Sequence, residues 1–273
     1  MTVEGEPESS DSMRTFGAVV QALRIFHGLS REEFAGLIGF SKHTVASVEL
    51  GRRLADVDFV EAAEAVLGNT GALRKAAECL ERQPGLASWF RRWAGLEKTA
   101  ITLYTYECRM IPGLLQTEAY LRALSADQLP PLDDEQIEEL WAARADRQRL
   151  LHERPNTAFS FILEEHLFLR RTGGAEVTLG VIDHLLDISK LRNVEIQIMP
   201  TIQESHAGLA GPLQLLETPK NKWFGYAEGQ ESGQLISDPK VVSVLQARYA
   251  RMRSQALTLG DSVSLLQRMR GNL

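Results

Sequence analysis

Apolar positions return every three or four residues along the first 70 residues, and this spacing predicts four helices in close succession. Phe16, Val19, Val20, Leu23 and Phe26 line one face of the first. It should stop at Gly28, because glycine readily takes the left-handed backbone that ends a helix. Ser30 opens the second helix, and Ser30 and Glu33 have capping-box spacing, in which each side chain satisfies an otherwise orphaned amide. Phe34, Ala35, Leu37 and Ile38 form its inner face, and Gly39 ends it with an expected positive φ. Ser41 caps the third helix, which turns Val45 and Val48 inward and ends at Gly51. Lys42, His43, Thr44, Ser47 and Arg52 are then left facing outward. A fourth helix carries Val57, Phe59, Val60, Ala63, Val66 and Leu67 and closes at Gly68.

Two helices of about nine residues joined by a turn of about three make a helix-turn-helix. The second helix of such a pair presents its N-terminal side chains to the major groove of duplex DNA. Lys42 suits guanine acceptors, while His43 and Ser47 can read several base edges and Thr44 lies beside them. Arg31, at the start of the second helix, is expected at a phosphate. Arg52 and Arg53 come after the third helix, where backbone contacts are expected. The bland alternative is a small helical bundle used for protein contacts.

The pattern changes beyond residue 76. Pro84-Gly85 interrupts a helical stretch, and Trp89 and Trp93 fall one turn apart on one face, a large apolar payload suited to docking between domains. Thr102 to Glu107 alternates as a strand does, and Pro112-Gly113 forces a turn before "LLQTEAYLRAL" resumes as a helix. "DDEQIEELWAARADRQRLLHER" is a long helix with its acids early and its arginines late, as the helix dipole favours. Strands are expected at Ala158–Leu163, in "NVEIQIMP", and in the pair "GPLQLLE" and "NKWFGYAE" joined by a turn. Helices should cover "EVTLGVIDHLLDISKL", "DPKVVSVLQARYARMRSQAL" and "GDSVSLLQRMR". The fold class is therefore a mainly α N-terminal bundle followed by an α+β domain with a small mixed sheet.

Length fits this division: 273 residues suit two domains. The organisation expected is a disordered tail over 1–13, a DNA-binding domain over 14–75, a helical linker over 76–100 and a C-terminal domain over 101–273. The formal net charge of −6 argues against a wholly basic binder but not against a basic patch. Between Arg14 and Lys75 there are eight basic and seven acidic residues, so position rather than total must carry the argument. The acidic N-terminus lacks an apolar signal segment, and no apolar run is long enough for a membrane span. Cys79 and Cys108 form no paired motif and read as buried thiols in a reducing cytoplasm.

"LSREEFAGLIGFSKHTVASVELGRR" resembles the Xre/Cro-type helix-turn-helix of phage repressors. That resemblance implies an ion pair between Arg24 on the first helix and Glu49 at the end of the third. Glutamine often stands in those proteins where this chain has Arg31 and Lys42, a departure that shifts weight from bidentate base contacts to phosphate. Further on, "IPGLLQTEAY", "RADRQRLL", "FILEEHLFLRR", "NVEIQIMP" and "HAGLAGPLQLLE" resemble an actinobacterial family of Xre-type regulators with a C-terminal domain of unknown activity. Members are often encoded beside a small partner protein, and some are described as antitoxin-like or developmental regulators. The resemblance implies a homodimer that binds double-stranded DNA and a C-terminal domain that meets a partner protein or a small molecule.

Catalysis is not expected. Glu164, His166 and His206 could form a site only if their strands are neighbours, and a solvated charge run with a loop histidine is the plainer reading. No phosphate-binding glycine loop, Gly-x-Ser-x-Gly or His-Glu-x-x-His is present, so neither a cofactor nor a metal is expected. Together with Trp89 and Trp93, these three residues are instead candidates for a ligand or partner surface, with the glycine-rich "SHAGLAGPL" as an adjoining loop. Two alternatives stay open: an antitoxin-like protein that masks a partner, and an enzyme with a DNA-binding appendage.

Overall fold

The computed structural model describes residues 11–77, 90–229 and 233–273. Most of the expected tail, residues 1–10, lies outside them, as does Cys79. The chain divides into two compact units, Met1–Gln83 and Pro84–Leu273.

The first unit is all-helical where it is described: α1 (Asp11–Phe26), α2 (Arg31–Ile38), α3 (Lys42–Glu49), α4 (Val57–Val66) and α5 (Ala72–Ala77). Local chemistry sets its boundaries. The capping box of Ser30 and Glu33 is complete, and Gly39 takes φ 75° to end α2. Ser41 accepts from the Thr44 amide at the head of α3, and Asp56 accepts from the Phe59 amide at the head of α4. Phe16, Val20, Phe34, Ile38, Val45, Val48, Phe59 and Leu73 form one core. Three expectations are corrected. Helix α1 begins at Asp11 and buries Met13, so the helix claims the end of the expected tail. Phe26 and Leu37, expected inside, are 83% and 60% exposed. Each lies roughly a quarter-turn off the stripe that its buried neighbours define.

The second unit opens with α6 (Arg91–Glu97), β1 (Thr102–Glu107), a 3₁₀ turn (Gly113–Leu115), α7 (Glu118–Ala126), α8 (Asp134–Gln148) and α9 (Leu150–Glu153). It continues with β2 (Ala158–Glu164), α10 (His166–Leu169), α11 (Ala175–Ile188) and β3 (Val194–Met199). It closes with β4 (Leu213–Glu217), β5 (Trp223–Glu228), β6 (Gly233–Ile236), α12 (Pro239–Gln255) and α13 (Leu259–Gly271). The strands form one sheet in the order β3-β2-β1-β4-β5-β6. β1, β2 and β3 run parallel, and β4, β5 and β6 add as antiparallel neighbours. This is the α+β domain with a mixed sheet.

Alternation along the strands gives the sheet two buried faces. Leu103, Phe159, Phe161, Ile196 and Ile198 pack with Ile182, Leu185 and Leu266 of α11 and α13. Tyr106, Ile162, Met199, Leu213 and Leu215 pack with Val242, Tyr249 and Met252 of α12. The linker expected over 76–100 is not a separate segment where it is described. Phe90, Trp93, Ala94 and Ala100 pack with Leu216 and Tyr226 of the sheet. Strand β6 escapes the sequence pattern, because "GQLI" has no turn signal or long alternation to mark it.

Candidate functional site

The helix-turn-helix is α2, the turn at residues 39–41, and α3. Its geometry is held by a buried charge. Arg24 Nε donates to Glu49 Oε1 at 2.5 Å, and Arg24 Nη2 donates to Glu49 Oε2 at 3.1 Å. Arg24 Nη1 also donates to the Leu29 carbonyl at 2.6 Å. One guanidinium thus ties α1, the α1–α2 connection and the end of α3. Glycine allows the close approach: a Cβ on Gly17 would lie 2.3 Å from the Val48 carbonyl oxygen and 2.5 Å from that of Glu49. A Cβ on Gly51, which takes φ 67°, would likewise lie 2.7 Å from the Arg14 backbone nitrogen. Sequence periodicity does not single out Gly17, because glycine inside a helix carries no pattern.

Arg31 is corrected from its expected phosphate position. Its Nε donates to Glu49 Oε2 at 2.6 Å, and a third of its side chain is exposed. Ser47, expected to face outward, is buried at 6% exposure. The chain after α3 folds back so that the Arg52 and Arg53 amides both donate to the Ser47 carbonyl, at 2.8 and 3.2 Å. The outward face of α3 therefore narrows to Lys42 and His43, both exposed, with Thr44 half-buried and its hydroxyl 2.9 Å from Ser41 Oγ. Lys42 Nζ reaches Glu32 Oε1 at 2.6 Å. Both partners are well exposed, so the pair is weak, roughly 0–1 kcal/mol, and a phosphate or base edge can replace it. Arg52 and Arg53 are exposed at the end of α3.

In the second unit the strand ends bring Glu164, His166 and His206 together. Glu164 Oε1 accepts from the Tyr106 hydroxyl at 2.8 Å and lies 2.7 Å from His206 Nε2. His206 Nδ1 accepts from the Gly208 amide at 2.8 Å, so Nε2 carries the proton donated to Glu164. His166 Nδ1 sits 3.7 Å from Glu164 Oε2, and its Nε2 lies 2.8 Å from the Cys108 carbonyl oxygen. Burial, then the hydrogen bond to Glu164, push the Tyr106 hydroxyl far above the usual tyrosine range, so it stays protonated and donates. Burial also raises the Cys108 thiol, which makes it a poor nucleophile. Among the described residues no group of histidine, cysteine and acidic side chains is arranged to hold a metal ion. Trp93 is corrected from a surface candidate: it is fully buried and stacked on Tyr226 at 5.3 Å. Trp89 lies outside the described residues.

Residues 15–77 match a family described as a helix-turn-helix domain. Residues 90–268 match a family described as a domain of unknown function, DUF5753. The chain belongs to the DUF5753 family. It joins that domain to an N-terminal helix-turn-helix, the architecture of a DNA-binding regulator. No curated protein matches it. Among the described residues no helix is long and apolar enough to cross a membrane.

The DUF5753 domain holds a further feature that sequence reasoning missed. A cavity of about 200 Å³ lies on the sheet face that carries Thr105 and Glu107, walled by Arg109, Arg144, Arg147 and Phe161. Burial pushes the Glu107 carboxyl up, and Arg109 pulls it part of the way back. Arg109 Nη2 donates to Glu107 Oε1 at 3.2 Å and Nη1 to the Glu228 carbonyl at 3.1 Å, while its buried Nε has no partner among the described residues. Arg147 is paired with Glu97 through two bonds of 3.0 Å and lies 4.4 Å over the Phe90 ring. Arg144 reaches the side-chain oxygen of Gln116. The arginines of "RADRQRLL" look in sequence like the end of an exposed helix, and only the fold turns two of them inward.

Proposed function

We propose that this protein is a sequence-specific transcriptional regulator. Its helix-turn-helix binds duplex DNA, and its DUF5753 domain dimerises and receives a signal from a partner protein or small ligand. The observation that carries the reading is the α2–α3 pair locked by Arg24 and Glu49, with Lys42 and His43 exposed on α3 and Arg52 and Arg53 beyond it. A dimer would set two recognition helices into successive major grooves, about 34–36 Å apart. Such a protein works beside the chromosome, in the cytoplasm.

The reading includes no catalysis by the Glu164 cluster. Both ring nitrogens of His206 are engaged within the fold, and the Cys108 thiol is held in its neutral form. The cluster reads as a clasp for the loop after β3. Gly208 supports this: a Cβ there would lie 2.5 Å from the Tyr106 ring.

Selection of DNA from a random pool, with light scattering on the resulting complex, tests the proposal. Enrichment of a two-fold symmetric site bound by two chains is expected. Enrichment of nothing would overturn the DNA-reading function. Recovery from native cells of a small protein at fixed ratio would make masking of that partner the primary role, with DNA binding reduced to autoregulation.

A further inference from the structure

The cavity in the DUF5753 domain pairs its charges unevenly: Arg109 takes two carboxylates, Arg147 one and Arg144 none within ion-pair distance among the described residues. Arg147 is satisfied by Glu97, and Arg109 is shared between Glu107 and Glu228, whose carboxylate it approaches at 3.8 Å. Arg144 has no carboxylate within ion-pair distance among the described residues, and its guanidinium donates instead to the neutral amide of Gln116. Burial, then the neighbouring charge of Arg147, bring its guanidinium down to about 10, and the more distant Glu228 carboxylate offsets them only in part. A charge held in this way is unfavourable unless something pairs with it.

We infer that the cavity binds a small organic acid, whose carboxylate pairs with Arg144 and whose apolar body lies against Phe90, Leu114 and Phe161. The inference deepens the reading of this domain as the signal-receiving half and rests on it.

Three features select this chemistry. The guanidinium is a planar fork that matches a carboxylate in two parallel hydrogen bonds. Glu107 and Glu228 also line the cavity, and they disfavour a dianion such as a phosphate monoester. A volume of about 200 Å³ is below the usual range for drug-sized ligands, so the occupant is a compact metabolite of one ring or a short chain. Phe90, Leu114 and Phe161 favour an anion with an apolar body over a bare inorganic one. Thr105 and Gln214 line the same space from β1 and β4 and can fix its orientation.

The test is titration calorimetry on the full chain with phenylacetate as probe. Phenylacetamide serves as the uncharged control and phenyl phosphate as the dianionic one, all at constant ionic strength. Saturable one-to-one binding of phenylacetate is expected, with no binding of the amide and at least tenfold weaker binding of the phosphate. Arg144→Met should weaken phenylacetate at least tenfold, and Arg144→Lys should weaken it by a smaller factor, because it keeps the charge but loses the fork. No saturable binding to the folded wild-type chain overturns the proposal. Equal affinity in Arg144→Met does too, or in Arg144→Lys should the methionine variant not fold. Equal or tighter binding of the amide would also overturn it. DNA affinity measured on the same samples separates the two readings. Phenylacetate bound at the cavity with DNA affinity unchanged would remove the signalling role and leave the site. DNA binding retained without phenylacetate binding would remove the site and leave the regulator.

Discussion

The guanidinium of Arg24 grips the carboxylate of Glu49 edge-on, through Nε at 2.5 Å and Nη2 at 3.1 Å, with side chains only 8% and 0% exposed. A pair this buried specifies geometry more than it adds stability, because both ions were taken out of water to form it. Removing one partner is a different matter, since it strands the other. Arg24→Ala or Glu49→Ala should lower the stability of residues 11–77 by roughly 3–5 kcal/mol. Chemical denaturation followed by amide exchange in α1 and α3 checks this. A loss below about 1 kcal/mol for both variants would show that the pair does not hold the motif.

The outward face of α3 separates reading from clamping. Lys42→Ala and His43→Ala should each relax preference at one base position, by roughly 1–3 kcal/mol of discrimination. Arg52→Ala and Arg53→Ala should weaken all sequences alike and reduce the salt slope by about one unit each. Ser47→Ala should leave base preference unchanged, because its side chain is buried. Competition between selected and scrambled duplexes across a salt series distinguishes these outcomes. If Lys42→Ala with His43→Ala changed neither affinity nor preference, α3 would not be the recognition helix.

Gly17→Ala sets two effects against each other. Helix propensity alone favours alanine by about 1 kcal/mol. The added methyl would sit 2.3 Å from a backbone carbonyl of α3, which cannot rotate away as a side-chain tip can. Destabilisation is expected to win, and a higher melting temperature for Gly17→Ala would contradict the observed packing of α1 on α3.

Glu64 predicts an acid-sensitive corner of the first unit. Its carboxylate accepts from the amides of Gly71 and Leu73 at 2.7 Å each and from Arg74 at 3.1 Å, which caps the start of α5. Burial pushes its pKa up, but the amide bonds together outweigh that and hold it below the ordinary value. A carboxyl depressed on folding gives stability that is present above its unfolded value, near 4.5, and is lost as pH falls through the folded value. Glu64→Gln should therefore unfold with a flatter pH dependence below about 4.5 and lower stability at pH 7. An unchanged acid profile would show that Glu64 does not carry this linkage.

Much of the first unit is legible in the sequence because its signals are local. Ser30, Gly39, Ser41 and Gly51 act within a few residues of themselves, and the apolar spacing needs only the helix period. The same reasoning misplaces Ser47, whose place on the helix is opposite Val45 yet whose side chain the fold buries. Arg31 escapes in the same way, because Glu49 lies 18 residues further along the chain.

The second unit divides similarly. Alternation and turn residues mark five of the strands, and β6 is missed because four residues hold too little pattern. Which strands are neighbours is a long-range matter, so the meeting of Tyr106, Glu164 and His206 could not be decided before the sheet order was known. The cavity around Arg144 is not visible in the sequence at all. Its charged groups and their partners come from α6, β1 and the loop after it, α8 and β5, with Gln116 just beyond the 3₁₀ turn, and an arginine on a helix has the same sequence signature whether it meets solvent or lines a cavity. The helix-turn-helix, its caps and the α+β character of the second unit can be read from the order of residues, because those depend on neighbours a turn or a strand away. Which charges are paired, which are buried and which are left facing a space emerges once the chain has folded, because those depend on residues brought together from far apart.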